Sequence, residues 1–429
     1  MTLVARTRRL DTPVDLLATA GPDGWLFERN RVGVAGRGAA LRVDWPAGDP
    51  SDGARAAAAA LAAVESDDEV GLPGCGPVAF GALPFVPGAG ATLTVPELIV
   101  GRAEDGTTWV TTVGDADGPA PADALSGLAP AVGSGLRSAA PDRTTIFGTE
   151  ATLPPPRSVT VSSTLDTADW CALVEDTTKA LVDGAELRKV VLARELTLTA
   201  DLPFDTLATL AYLRRRFPGC HLVSMDGLVA ATPETLVSRA GDVVRSHPMA
   251  GTAPRGGDPT DDQRLAASLL ASIKDRQEHQ VTIDMVHDTL LSWCSYLDYE
   301  AIPSVVAVAN VQHLATLVEG RLSSPGPSVL ELVAALHPTP AVAGWPRDEA
   351  VAWIAAHEGL DRGRYAGSCG WADARGNGTW GVTLRAAELD GTRARLIAGV
   401  GVLPDSDPAA ELAETNAKFE ALLTALVRP

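Results

Sequence analysis

Leu187-Arg188-Lys189-Val190-Val191-Leu192-Ala193-Arg194 decides how this chain is read. Aliphatic residues run unbroken between charged ends, which predicts a strand over 187–199. The pattern is as sharp on either side. Thr167-Ala168-Asp169 precedes a helix to about 182, with Trp170, Leu173, Val174 and Leu181 near helical spacing. A helix at 204–216 ends in Arg214-Arg215-Arg216, and strands follow at 221–225 and 228–231. Residues 235–239 and 243–246 read as a hairpin about Gly241-Asp242. A long acidic helical region covers 260–296, and strands return over 304–322. Helices at 327–336 and 346–359 lead to three strands, 366–372, 379–388 and 394–402, and a last helix at 408–427. Upstream, 54–64 reads as a helix, and 78–85 and 91–100 as strands. Strands and helices come in blocks without strict alternation, so the fold class is α+β (mixed α/β), layered and not doubly wound. Residues 1–115 form an N-terminal part, 116–160 an irregular Pro/Gly-rich connector, and 161–429 the region of clearest pattern.

Composition narrows the function. The chain has 429 residues, 46% hydrophobic, with a net charge of −19. That charge argues against nucleic acid or an anionic membrane surface as partner. No run approaches the roughly 18 apolar residues of a membrane span, and the first residues lack the apolar stretch of a signal peptide. The five cysteines are scattered and form no CxxC pair, which suits a reducing compartment and a cytoplasmic protein. Gly399-Val400-Gly401 is too short for a dinucleotide fingerprint, and there is no Walker sequence.

Of 35 basic residues only four are lysines, and one of them is Lys189. An ammonium can lose its proton where a guanidinium cannot, so a Lys in an apolar strand is a candidate general base. Chance usage is the plainer alternative. Asp275 and Glu278 are three apart on the acidic helix, and Glu411 and Glu414 are three apart on the last helix, with Lys418 one turn on. Two such pairs could hold Mg²⁺, or be two solvated acidic faces. Glu234, after Thr232-Pro233, is either a general acid in an apolar setting or an exposed turn residue. His247 to Gly256, with Gly251 and Thr252, reads as a loop rich in backbone donors, fit to cradle an anion. Arg385, read as a strand residue, and Tyr365 could bind a carboxylate. His313 in Val311-Gln312-His313-Leu314 is a suggestive histidine or a structural one.

Together these segments resemble the chorismate-utilising enzymes: isochorismate synthases, salicylate synthases, anthranilate synthase large subunits and aminodeoxychorismate synthases. The resemblance rests on Lys189 to Arg194, Ala231-Thr232-Pro233-Glu234, Pro248-Met249-Ala250-Gly251-Thr252, Lys274-Asp275 with Glu278-His279, and Val311 to Leu314. It continues through His337-Pro338-Thr339-Pro340-Ala341-Val342, Arg364-Tyr365-Ala366-Gly367, Leu384-Arg385, Ala398-Gly399-Val400-Gly401, and Ser406-Asp407-Pro408 with Glu411, Glu414-Thr415 and Lys418. It spans about 161–428 and is weak in the first third, chiefly Phe80 to Phe85.

The resemblance implies layered, antiparallel-rich sheets with helices outside, 161–429 as the chorismate-binding catalytic region, and 1–115 as a variable part of the same fold. It implies Mg²⁺ as cofactor and chorismate as substrate, with Glu278 and Glu414 as metal ligands and Asp275 and Glu411 supporting through water. The family usually has Glu where Asp275 stands. Tyr365, Arg385 and Lys418 would surround the substrate carboxylates, helped by backbone near Gly251 and Gly399, with Thr252 and His313 also in the pocket. Lys189 and Glu234 would be the catalytic base and acid. Enzymes that add ammonia usually have Gln at the Lys189 position, and aminodeoxychorismate synthases have a Lys nucleophile where Ala250 stands. Lys189 with Ala250 therefore implies water addition, an isomerase of the isochorismate synthase type. Salicylate synthases, the alternative, tend to have Thr where this chain has Ala341, while Tyr365 and Leu384 occur in both. Anthranilate synthase and an inactive chorismate-binding protein are the remaining alternatives. The expected assembly is a monomer with no obligatory partner subunit.

Overall fold

The Lys189–Ala200 strand pairs antiparallel with Arg393–Val402, placing Val191 opposite Gly401 and Ala193 opposite Gly399. This pair lies near one edge of a 13-stranded sheet. The sheet runs on through Ala386–Asp390, Leu228–Thr232 and His221–Met225 into strands from the first 115 residues. The structure, a computed structural model, describes residues 3–115, 153–183, 186–308 and 311–427. Most of the expected connector, 116–152, lies outside the described residues.

A nine-stranded sheet is built from both halves of the chain, with Val78–Leu83, Ala91–Val95 and Leu41–Trp45 joined to Ser368–Asp373 and Gly378–Val382. A three-stranded sheet holds Met249–Pro254, Val311–Ala315 and Ser304–Val308. One apolar core joins Phe27, Val190, Leu192 and Val223 of the larger sheet to Phe80, Leu93, Val237 and Trp380 of the smaller. A second core seats the helices Leu16–Ala20, Thr206–Arg216 and Pro408–Val427 on the larger sheet. Burying one such Leu or Phe stabilises by roughly 1.5–3 kcal/mol, so the strands that carry the polar site residues are held by their apolar neighbours. The layered, antiparallel-rich architecture with helices outside is as expected.

Five local readings differ from the structure. The 91–100 run is two strands, Ala91–Val95 and Leu98–Arg102, in different sheets. They part at Pro96, whose nitrogen has no hydrogen to offer a ladder. The 379–388 run is likewise two strands, Gly378–Val382 and Ala386–Asp390, again in different sheets. Arg385 is therefore not a strand residue; it stands in the break with φ +48°. The expected loop around Gly251 is the strand Met249–Pro254, with a register shift between Ala250 and Thr252 and φ +76° at Gly251. A bulge of this kind favours glycine. The long acidic helix is two, Pro259–Ala271 and Ile273–Leu291, broken at Ser272. Ser272 is extended and its hydroxyl accepts from the Asp275 amide at 3.2 Å, so it caps the second helix. The helix expected over 54–64 is Pro50–Ala62, starting early because Asp49 caps it and Pro50 sits in its first turn.

Candidate active site

Two chain crossings between the large sheets lie side by side. Leu228–Thr232 passes through Pro233-Glu234 into Thr235–Ala240, and Gly378–Val382 passes through Thr383-Leu384-Arg385 into Ala386–Asp390. They are bonded to each other: Ala231 N donates to Arg385 O at 3.1 Å and Val382 N to Glu234 O at 3.2 Å. The Thr232 hydroxyl adds a 2.6 Å bond to Val382 O. An acid and a guanidinium are thus carried into one cavity of about 180 Å³. Glu234 is 2% exposed, not an exposed turn residue. Burial pushes its carboxyl up to about 8, against the pull of Lys189 and Arg385.

Arg385 is 9% exposed and makes no ion pair among the described residues. Its Nη2 donates to His313 Nε2 at 3.3 Å. His313 Nδ1 lies 3.1 Å from the Thr252 hydroxyl and 3.3 Å from Gly251 O. A guanidinium only donates and a carbonyl only accepts, so His313 is neutral with its hydrogen on Nδ1. Burial first, then Arg385 and Lys418, push its pKa down to about 3. Tyr365 beside it is pushed up to about 12 by burial. A buried cation with no acid of its own is a receptor for an anion.

Opposite these stand the carboxylates. The Ile273–Leu291 helix presents Lys274, Asp275 and Glu278 to the cavity, and the Pro408–Val427 helix presents Glu411, Glu414 and Lys418. Glu278 Oε1 is 2.7 Å from Lys189 Nζ, and Glu414 Oε1 is 2.6 Å from Lys418 Nζ. Lys418 also donates to Gly399 O at 2.7 Å. Burial raises the Glu411 carboxyl to about 7, and Glu414 adds to the rise. Among the described residues no three Asp, Glu, His or Cys side chains are gathered as a metal cluster. The donor chemistry nonetheless fits a hard divalent cation: four carboxylates line one cavity, and Glu278 and Glu414 each have a second oxygen beyond the one their lysine holds.

Fourteen of the fifteen residues singled out from the sequence line this cavity: Glu234, Gly251, Thr252, Asp275, Glu278, His313, Ala341, Tyr365, Leu384, Arg385, Gly399, Glu411, Glu414 and Lys418. The fifteenth, Lys189, is 5% exposed and reaches the cavity through Glu278. Its polar neighbour is thus an anion, where the sequence shows only an apolar strand.

Lys274, a motif residue with no role assigned from the sequence, pairs with Asp405 at 3.0 Å at the rim. Other residues carry no sequence signal. Arg362 donates to Val191 O at 2.6 Å and Val342 O at 3.1 Å, while Glu358 accepts from the Ala193 amide at 2.7 Å and pairs with Arg362. An acid and a base four apart look like any surface helix pair, and nothing marks this one as buried behind the cavity wall. Gly401 was visible only as part of a Gly-Val-Gly run. A Cβ there would lie 2.9 Å from Lys189 Cε and 3.1 Å from Glu278 Oε1.

A relative, isochorismate synthase DhbC of Bacillus subtilis (strain 168), is 42% identical over 264 residues, covering 59% of this chain and 66% of that protein. Isochorismate synthase EntC of Escherichia coli (strain K12) is 36% identical over 280 residues, 62% of this chain and 71% of that one. The solved structure of MenF, the menaquinone-specific isochorismate synthase from Escherichia coli, superposes with a TM-score of 0.77 at 27% identity, covering 99% of this chain and 95% of that one. The family model described as chorismate binding enzyme matches residues 24–427, and the chain belongs to that family.

Proposed function

We propose that this protein is an isochorismate synthase, an isomerase that adds water at C2 of chorismate and releases the C4 hydroxyl. The observation that carries the reading is a single cavity lined by the buried Glu234 carboxyl, raised to about 8, by Glu278 with Lys189 bonded behind it, and by Arg385, which has no acid of its own among the described residues. Glu234 gives its proton to the departing C4 hydroxyl, and Lys189 takes one from the water attacking C2. Double bonds shift, and atoms are conserved. Each group then holds the protonation state the reverse reaction needs, so the conversion is reversible. Lys189 acts as base from its neutral form, reached when the Nζ proton donated to Glu278 passes to solvent water before the attack. Arg385, Tyr365 and Lys418 hold the carboxylates, while His313 and the backbone at Gly251 and Gly399 orient them. Ala250 offers no nucleophile, and Lys189 stands where ammonia-adding enzymes usually have Gln, so water is the attacking group. Ala341, a small residue without a hydroxyl, favours release of isochorismate over pyruvate elimination.

Glu278 and Glu414, supported by Asp275 and Glu411, would hold Mg²⁺, which when bound anchors a substrate carboxylate. The protein acts as a monomer in the cytoplasm, where its cysteines, free among the described residues, stay reduced. No described helix is long and apolar enough to cross a membrane.

Incubation with chorismate and Mg²⁺, followed by mass and fluorescence analysis, is expected to yield isochorismate. EDTA should abolish the conversion and added Mg²⁺ restore it. Salicylate with pyruvate, or anthranilate when ammonium is supplied, would move the protein to another branch. Activity indifferent to chelation would remove the metal role of the carboxylates. Gly401→Ala is expected to part Lys189 from Glu278 and lower kcat on the order of 100-fold; unchanged kcat would show that the contact has no part in turnover.

A further inference from the structure

Arg194 ends the motif that begins with Lys189, and the chemistry above makes no use of it. It is 7% exposed and has no acid within ion-pair distance among the described residues. Its Nε has no hydrogen-bond partner. A buried, uncompensated guanidinium is costly, so its contacts are informative. Nη1 donates to the Thr415 hydroxyl at 2.9 Å and to Asn416 Oδ1 at 3.0 Å. The guanidinium carbon lies 5.6 Å from the Trp170 ring centre and 5.9 Å from that of Phe419, within cation–π range. Trp170 belongs to the Thr167–Asp183 helix, while Thr415, Asn416 and Phe419 belong to Pro408–Val427.

Thr415 and Asn416 directly follow Glu414, and Phe419 follows Lys418. Arg194 therefore grips one side of the helix whose adjoining side presents Glu411, Glu414 and Lys418 to the cavity. A second tie, Lys418 to Gly399 O, holds the cavity side. Arg194 stands opposite Ala398 in the strand pair, one residue from Gly399. Both ties thus run from the same two strands to one stretch of helix and fix its rotation. Side chains stand about 5–6 Å from a helix axis, so a turn of about 10° moves a carboxylate by about 1 Å.

We propose that Arg194 is a positioning residue for substrate binding, setting the rotation of the Pro408–Val427 helix and through it the places of Glu414 and Lys418. This rests on the reading of the cavity as a chorismate site. The test uses Arg194→Met, Arg194→Lys and, from the helix side, Thr415→Val, which keeps the shape of the side chain and loses the acceptor. KM and kcat are measured for each. Chorismate affinity is also titrated calorimetrically with Mg²⁺ present, after Glu234→Gln has been added to stop turnover. The expected result is a rise of about tenfold or more in both KM and Kd for Arg194→Met, a smaller rise for Arg194→Lys and Thr415→Val, and far-UV circular dichroism unchanged. KM and Kd within twofold of the parent in the folded variants, with only Tm lowered, would reduce Arg194 to a packing residue. Should Arg194→Met not fold, Thr415→Val decides by the same two constants. An active parent with unaffected variants overturns this inference alone. A parent that neither binds nor converts chorismate overturns the reading of the cavity and this inference with it.

Discussion

Lys189→Gln is expected to remove isochorismate formation, with kcat falling by about 10²–10⁴, the usual worth of a positioned general base. Glutamine has no basic amine, yet its amide can still donate to Glu278 Oε1, which Lys189 now holds at 2.7 Å. The fold and the chorismate affinity should therefore survive. Lys189→Ala is a poorer probe. The Glu278 side chain is 14% exposed, and removing its partner leaves a mostly buried carboxylate alone, which costs about 3–5 kcal/mol. Kinetics on both variants, with Tm as a control, separate the two effects. Turnover near the parent's in folded Lys189→Gln would assign the base elsewhere.

Glu234→Gln is expected to cut kcat by a similar factor, about 10²–10⁴, and to keep chorismate binding, since an amide resembles a protonated carboxyl. It should also change how stability depends on pH. The Glu234 carboxyl stands at about 8, raised from 4.5 by burial. A raised carboxyl stabilises the fold fully below its ordinary value, and that contribution is lost as pH climbs through about 8. The parent must then bear a buried charge that the glutamine variant lacks. The variant should thus gain on the parent between pH 5 and pH 8, by on the order of 3 kcal/mol. Denaturant titrations at both pH values measure this. A constant difference would mean that Glu234 is already ionised at pH 5. Forward activity of the parent should fall as pH passes about 8, because the acid is then without its proton.

Much of the site was legible because its residues sit in short, distinctive runs. Glu411, Glu414 and Lys418 follow helical spacing, and the last helix appears where its pattern placed it, Pro408–Val427. What was hidden is where the chain changes sheet. The 379–388 run is apolar enough to read as one strand, because both sheets bury their strands and ask for the same residues. The break is the crossing Thr383-Leu384-Arg385, in which Arg385 has a left-handed backbone, and arginine carries no mark of that conformation. Gly251 misled in the opposite direction: a glycine between prolines suggests a loop, but here it makes a bulge within a strand. The ion pairing of Lys189 was out of reach too, since Glu278 lies 89 residues away. Arg362 and Glu358 gave no signal, because their partners are distant in sequence: Arg362 lies 4.3 Å from the Phe85 ring centre and bonds Val191 O, and Glu358 accepts from the Ala193 amide.

The two neighbouring crossings, bonded to each other at Ala231–Arg385 and Val382–Glu234, bear on motion. Neither can loosen without breaking bonds made to the other, so acid and guanidinium form one cooperative unit. Their amides should be among the slowest in the molecule to exchange with deuterium. The opposite side is built differently. Lys274 is 47% and Asp405 69% exposed, and a solvated pair of that kind is worth at most about 1 kcal/mol. Breathing that admits a ring-sized molecule therefore falls to the helical rim, while the floor that delivers the proton stays still.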